Sequence, residues 1–279
     1  MDSNKSIGFG CVALTTLPTV NEALYLLNTA HENGINHFDT APIYGQGYSE
    51  ILLGKFLLDK KREEIIITTK CGLGNIKVPQ LSANIALPLN FLKKSIKHSK
   101  KINIKIQSKN PVPFRSITLD QVRFDFYNSL KRLKTEYIDN YLLHEATPKF
   151  LTNEATNFLF DLKKKGLIKN IGIGVSYLNL IEIDPGEIEN WDILQYDFNI
   201  IENPEKIYLN NPGKQNIHHS IFKNYNLYNF PGIPDNEKGG FLIANHISKY
   251  KDAKVLFTST RTKNIINNLK YANFYINKL

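Results

Sequence analysis

Eight short runs of β-branched and other apolar residues recur along this chain with helix-patterned stretches between them, and that alternation constrains the fold more than any other feature. The runs are Ile7–Leu14, Ile35–Thr40, Ile65–Lys70, Asn140–His144, Ile171–Ser176, Ile193–Phe198, Ile217–Phe222 and Val255–Thr260. Several are apolar almost without interruption, as expected where helices cover a parallel sheet. The intervening stretches carry helix punctuation. Thr19-Val-Asn-Glu22 and Thr118-Leu-Asp-Gln121 have capping-box form, and Asn33-Gly34 and Gly166 stand where helices should stop. Ser49-Glu50 is suited to opening a second helix, and further helices are predicted near Ile181–Asn190, Glu237–Lys249 and Lys263–Tyr271.

Eight strands alternating with helices in a chain of 279 residues predict a single-domain α/β fold over residues 1–279, a (β/α)8 TIM barrel. The competing doubly wound sheet would usually place a Gly-x-Gly-x-x-Gly turn after its first strand. Gly8-Phe-Gly10 lacks the third glycine and lies within the strand. One segment breaks the rhythm. Residues 72–116 follow the third strand as an insertion far longer than the usual connection of about 2–6 residues. Its Lys93–Lys109 stretch, with Leu89, Phe91, Leu92 and Ile96 nearby, could form a basic amphipathic helix. That helix would be either a solvated excursion or a lid that draws anionic substrates to the barrel mouth.

The net charge of +9 is concentrated in that part of the chain. Between Ile65 and Leu119 there is no Asp or Glu, against nine Lys and Arg115, so the remainder is close to neutral. Basicity confined to one segment argues against a nucleic-acid partner. No apolar run approaches the roughly 20 residues of a membrane span, and the N-terminus has no signal-peptide pattern. Two cysteines do not make a disulfide framework, which points to the cytoplasm. Asp39, Cys71 and His144 have no metal-ligand spacing, so no metal is expected.

In a TIM barrel, polar residues at the C-terminal strand ends face the site. Asp39 ends the second strand and Tyr44 lies in the glycine-rich loop after it, Lys70 ends the third, and His144 ends the fourth. Singly, each has an ordinary explanation as a turn cap, a packed aromatic, a snorkelling lysine or a satisfied histidine. Four at neighbouring strand ends argue for chemistry. A tyrosine with a pKa near 10 is too weak an acid at neutral pH, and a cationic lysine beside it should lower that value. A carboxylate would keep the lysine charged, and the imidazole could bind a substrate oxygen.

Phe38-Asp39-Thr40-Ala41…Tyr44-Gly45-Gln46-Gly47-Tyr48-Ser49-Glu50 resembles the signature of the aldo-keto reductase family. The resemblance extends through Gly8–Cys11, Thr69-Lys70, Ser129–Leu133, Tyr137–Asp139, Leu143-His144, Ile171–Ser176, Gln195–Asn199 and Thr258–Arg261 to Asn268-Leu269. It implies a barrel binding a nicotinamide cofactor across its mouth, with Asp39, Tyr44, Lys70 and His144 as catalytic tetrad and Tyr44 as general acid. It also implies cofactor contacts at Ser176, Gln195 and His219 around the nicotinamide. Further contacts at Ser259, Thr260, Arg261, Lys263 and Asn268 would hold the adenosine phosphate end. There the N-terminus of the last helix would add its positive end. The cations Arg261 and Lys263 favour NADP(H), with NAD(H) possible. Where the family commonly has Ser-Asn, this chain has Ser176-Tyr177. Where many members have Lys-Ser and a later Arg, it has Thr258-Ser259 and Asn264.

These readings lead to an NAD(P)H-dependent carbonyl reductase acting on a small-molecule carbonyl or alcohol. Two other classes compete with it. One is a cofactor-sensing regulatory module with little turnover, and the other is an aldolase-like barrel using Lys70 as a Schiff-base nucleophile.

Overall fold

The structure, a computed structural model, describes residues 6–73, 79–99, 116–198, 207, 211–223 and 225–278. Eight parallel strands close on themselves in sequence order, β1 (Ile7–Gly10), β2 (His37–Asp39), β3 (Ile66–Cys71), β4 (Ile138–His144), β5 (Ile168–Gly174), β6 (Ile193–Asp197), β7 (Gln215–His219) and β8 (Ala253–Phe257). β1 pairs with β2 on one side and with β8 on the other, which completes the predicted (β/α)8 barrel. Each strand is short, as barrel strands are, and those read as extending to Leu14, Ser176 and Thr260 stop earlier. After Gly10 the chain winds into a 3-10 turn, Cys11–Thr16, in which the Thr16 hydroxyl donates to the Ala13 carbonyl at 2.7 Å.

Outside the barrel run α1 (Val20–Glu32), α2 (Tyr48–Phe56), α3 (Ala83–Ser99), α4 (Leu119–Leu133), α5 (Asn153–Lys164), a short α6 (Tyr177–Leu180), α7 (Lys238–Lys249) and α8 (Thr262–Ile276). The predicted caps form. Thr19 accepts from the Glu22 N–H at 3.2 Å and Thr118 from the Gln121 N–H at 3.3 Å. Each satisfies an otherwise orphaned donor, an interaction worth about 1 kcal/mol. The helix expected over Ile181–Asn190 is instead α6 followed by a 3-10 turn at Pro185–Ile188. Pro185 cannot donate into a continuing helix, and the Asp184 carboxylate caps the new turn at the Gly186 N–H, 2.8 Å away.

The core lies in two layers between sheet and helices, one around α1, α2 and α8 and one around α4, α5 and β4–β6. A small third cluster, Leu142, Ile193, Ile217 and Leu256, fills the barrel itself. Gly172 lets that interior close, because a Cβ there would meet Leu142 and the Ile193 backbone at 2.5–2.7 Å. The first part of the insertion is helical, as α3, and buries Ala83, Ala86 and Leu87 against the first of these layers. Most of the Lys93–Lys109 stretch lies outside the described residues, and the lid reading with it.

Candidate active site

Asp39 and Lys70 are delivered by adjacent strands, at the ends where β2 and β3 pair, and form a buried ion pair. Lys70 Nζ donates to Asp39 Oδ1 at 2.8 Å and to the Thr40 carbonyl at 3.0 Å. Both side chains are almost wholly out of solvent. Burial pulls the lysine pKa down, but Asp39 and the Tyr44 phenol more than offset it, so the ammonium is held charged above its usual range. A lysine in that state is a poor amine nucleophile, which weighs against the Schiff-base reading.

The loop after β2 then turns Tyr44 over this pair. Gly45 and Gly47 both have positive φ, and a Cβ on Gly45 would collide with Thr15 at 2.4 Å. Lys70 Nζ stands 5.4 Å from the centroid of the Tyr44 ring, and His144, ending β4, meets that ring edge-on at 6.0 Å. All four residues line one cavity of about 350 Å³ at the C-terminal mouth of the barrel. Gln195, His219, Ser220, Ile221 and Phe222 line it too, so residues just after β7 help to shape the pocket.

The electrostatics of the phenol differ from the sequence-based expectation. Lys70 pulls the Tyr44 pKa down, as anticipated, but burial, the Asp39 carboxylate and Cys11 together outweigh it and leave the phenol raised above 10. Tyr44 is therefore a firmly protonated donor at neutral pH. The charge beside it acts on the phenolate only once a proton leaves. His144 is pushed down to about 3, first by burial and then by Lys70 and His219, so its imidazole is neutral and can donate one N–H. His219 is also lowered, chiefly by burial. The arrangement offers two neutral donors to a carbonyl oxygen above a fixed ion pair.

Helix α2 was expected to open at Ser49-Glu50. It opens at Tyr48, capped by Gly47, and the Ser-Glu pair is fully buried behind the site. Thr40 Oγ1 donates to Ser49 Oγ at 2.8 Å, and Ser49 Oγ donates to the Cys11 carbonyl at 3.0 Å. Glu50 accepts from Thr69 Oγ1 at 2.7 Å and from Arg132 Nε at 2.6 Å. These bonds tie α2 and α4 to the residues flanking Asp39 and Lys70.

The residues assigned to a cofactor fall into three groups. Gln195 and His219 line the cavity. Ser176 is not among the lining residues; its hydroxyl caps α6 by accepting from the Asn179 N–H at 3.3 Å. Its neighbour Tyr177 is buried, with its N–H donating to Asp197 at 2.8 Å. Ser259 and Asn268 line a second cavity, of about 270 Å³, with Asn264, Asn267, Asp235 and others. Thr260, Arg261 and Lys263 are exposed around the start of α8, outside that lining. The two cavities share the lining residues Phe222 and Thr258 and so adjoin along a line from the strand ends to the last helix. Gly174 keeps its inner end open. A Cβ there would come to 3.2 Å from Gln195 Oε1 and 3.6 Å from Lys70 Cε.

A family model described as the aldo/keto reductase family matches residues 6–218. The chain belongs to that family. An NADH-specific methylglyoxal reductase of Escherichia coli (strain K12) is 29% identical over 178 residues, covering 62% of this chain and 47% of that protein. A D-threo-aldose 1-dehydrogenase of Pseudomonas sp is 48% identical over 52 residues, covering 19% of this chain and 16% of its own length. The chain thus spans about half the length of the first curated relatives it matches. An aldo-keto reductase from Bacillus halodurans in holo form superposes with a TM-score of 0.65 at 20% identity, covering 96% of this chain and 86% of that one. A Bombyx mori aldo-keto reductase in complex with NADP gives 0.62 at 20% identity, covering 95% and 83%. Among the described residues no helix is long and apolar enough to cross a membrane, and no cluster of metal-ligating groups occurs.

Two features of the site escaped the sequence reading. One is that Gln195, expected only as a cofactor contact, donates its amide to Asp39 Oδ2 at 2.7 Å. The other is Glu145, which lines the cavity next to His144. The strand-end rule that found His144 would have found Glu145 as well, extended by one residue.

Proposed function

We propose that this chain is an NAD(P)H-dependent carbonyl reductase in which Tyr44 gives a proton to the carbonyl oxygen. The observation that carries the reading is the convergence of a protonated phenol, a neutral imidazole and a buried Asp–Lys pair on one cavity that continues toward α8. A reduced nicotinamide, when bound, supplies the hydride. Gln195 and His219 would hold its head, and Ser259 and Asn268 its adenosine end. His144 donates its N–H to the substrate oxygen and sets its direction. Tyr44 donates the second hydrogen bond and then the proton. Lys70 stabilises the phenolate left behind, and Asp39, held by Gln195, keeps Lys70 charged and in place.

Arg261 and Lys263 favour NADP(H), since both are exposed where a ribose 2′-phosphate could meet them. The cavity lining beside them carries neutral Asn, Ser and Thr groups, and Asp235, the one charged residue among the described lining, is paired with Lys238. The preference therefore rests on solvent-exposed charges.

The test is NAD(P)H oxidation with a panel of neutral aldehydes and ketones. Methylglyoxal comes first, given the name of the Escherichia coli relative. Tyr44→Phe should retain cofactor binding and lose about 10²–10⁴-fold in kcat. A cofactor-binding Tyr44→Phe protein with full kcat would refute the assignment of the proton donor.

A further inference from the structure

The charge balance of the cavity runs against that of the chain. The sequence carries +9 overall. Among the described lining residues the charged side chains are Asp39, Lys70 and Glu145, and the first two neutralise each other at 2.8 Å. His144 and His219 are kept neutral by burial, and Tyr44 keeps its proton. One carboxylate remains, at the rim.

Glu145 is also held in an unusual place. Its φ is +50°, a left-handed backbone that glycine adopts freely and an L side chain adopts at a cost. Strain of this kind persists where the surroundings fix it and is concentrated at functional positions. Here the Glu145 N–H donates to the Gly174 carbonyl at 2.7 Å, and the Ser176 N–H lies close enough to favour the carboxylate's charged form. Burial and the nearby Asp197 raise the Glu145 pKa, while the Ser176 N–H and Lys70 oppose that. Asp197 is itself paired with Lys223 at 3.1 Å. The Glu145 backbone is thus held beside the residue that faces the carbonyl oxygen, and its side chain reaches solvent.

We propose that Glu145 is a charge filter for the substrate. Its carboxylate repels carbonyl compounds that carry a carboxylate or phosphate close to the carbonyl, and it accepts a hydrogen bond from a hydroxyl in that position. The substrates it selects are neutral hydroxy-aldehydes and hydroxy-ketones. This rests on the carbonyl reduction proposed above. The net positive charge of the chain acts at long range and raises the encounter rate of anions, while a single charge at the rim acts at contact distance and decides which of them stay.

Glycolaldehyde and glyoxylate are close in size and carry a hydroxyl or a carboxylate beside the aldehyde. Because that carboxylate also alters the carbonyl's hydration and reactivity, the change in their kcat/KM ratio between wild type and Glu145→Gln isolates the charge. The wild-type protein should prefer glycolaldehyde by on the order of tenfold or more. Glu145→Gln should abolish that preference, lowering KM for glyoxylate and raising it for glycolaldehyde with a smaller change in kcat. Glu145→Gly should lose the preference equally and, relieved of the left-handed backbone, melt no lower than wild type. A wild-type protein with equal kcat/KM for both, or a Gln variant with the wild-type ratio, overturns the filter. If no aldehyde is turned over, the reductase reading itself fails. Saturation-transfer NMR with ethylene glycol and glycolate then decides the filter. Contact by ethylene glycol alone in wild type and by both in Glu145→Gln supports it, and equal contact by glycolate in both proteins overturns it.

Discussion

Gln195 Nε2 donates to Asp39 Oδ2 at 2.7 Å, on the oxygen opposite the one that binds Lys70, so the buried carboxylate is held from both sides. The two residues lie 156 positions apart and meet because β2 and β6 face each other across the barrel. Removing Gln195 and removing the Asp39 charge should therefore differ in kind. Gln195→Leu leaves one acceptor unpaired, at a cost of about 1–3 kcal/mol. Asp39→Asn leaves the Lys70 ammonium buried without its counter-charge, at about 3–5 kcal/mol. Urea unfolding of the two variants should rank them in that order, and equal midpoints would show that Lys70 finds another partner.

As the proposed proton donor, Tyr44 with its raised phenol should set the alkaline limit of the proposed reduction. Reduction needs the protonated form, so kcat should be flat through neutral pH and fall only as pH rises past about 10, the ordinary tyrosine value. Lys70→Met removes the strongest influence that lowers the phenol, so the alkaline limb should move to higher pH while kcat itself drops. A limb that moves to lower pH in that variant would show that another group governs it.

Acid should unfold the protein through its buried histidines. Burial, reinforced by Lys70 and His219, pushes His144 down to about 3, and burial with Lys249 pushes His246 down to about 3. The unfolded chain takes up these protons near 6.5, whereas the folded protein takes them up only near 3. The unfolded state therefore binds more protons throughout that window, and stability is lost as pH falls from about 6.5 toward 3. Each such histidine contributes about 1.4 kcal/mol per pH unit in the window. His246→Asn should flatten the fall of melting temperature with acid, and an unchanged slope would remove His246 from the account.

Cofactor preference should be modest and sensitive to salt. Arg261 and Lys263 are exposed, so their attraction for a 2′-phosphate is screened over about 8–10 Å at ordinary ionic strength. Fluorescence titration should give NADPH an advantage over NADH that shrinks between 50 mM and 500 mM NaCl and disappears in the double variant Arg261→Ala, Lys263→Ala. A salt-independent ratio would move the discrimination to the neutral lining of the second cavity.

What was legible in the chain was whatever its local pattern encodes. Near-continuous apolar runs and apolar residues at helical spacing mark the eight strands and most of the helices, because the burial of an element shows in neighbours a few positions away. The caps at Thr19 and Thr118 are equally local. Once the barrel was inferred, the strand ends placed Asp39, Lys70 and His144 together. Tertiary structure alone decided the rest. Ser49 and Glu50 read as a helix opening, yet closure of α2 against α4 buries them and makes Glu50 the partner of Arg132, 82 positions away. Ser176 spends its hydroxyl on a helix cap that the sequence places no more firmly than a cofactor contact. The sign of the Tyr44 shift is a balance between one nearby cation and the loss of water around a buried phenol, and only the closed barrel determines how much water is lost.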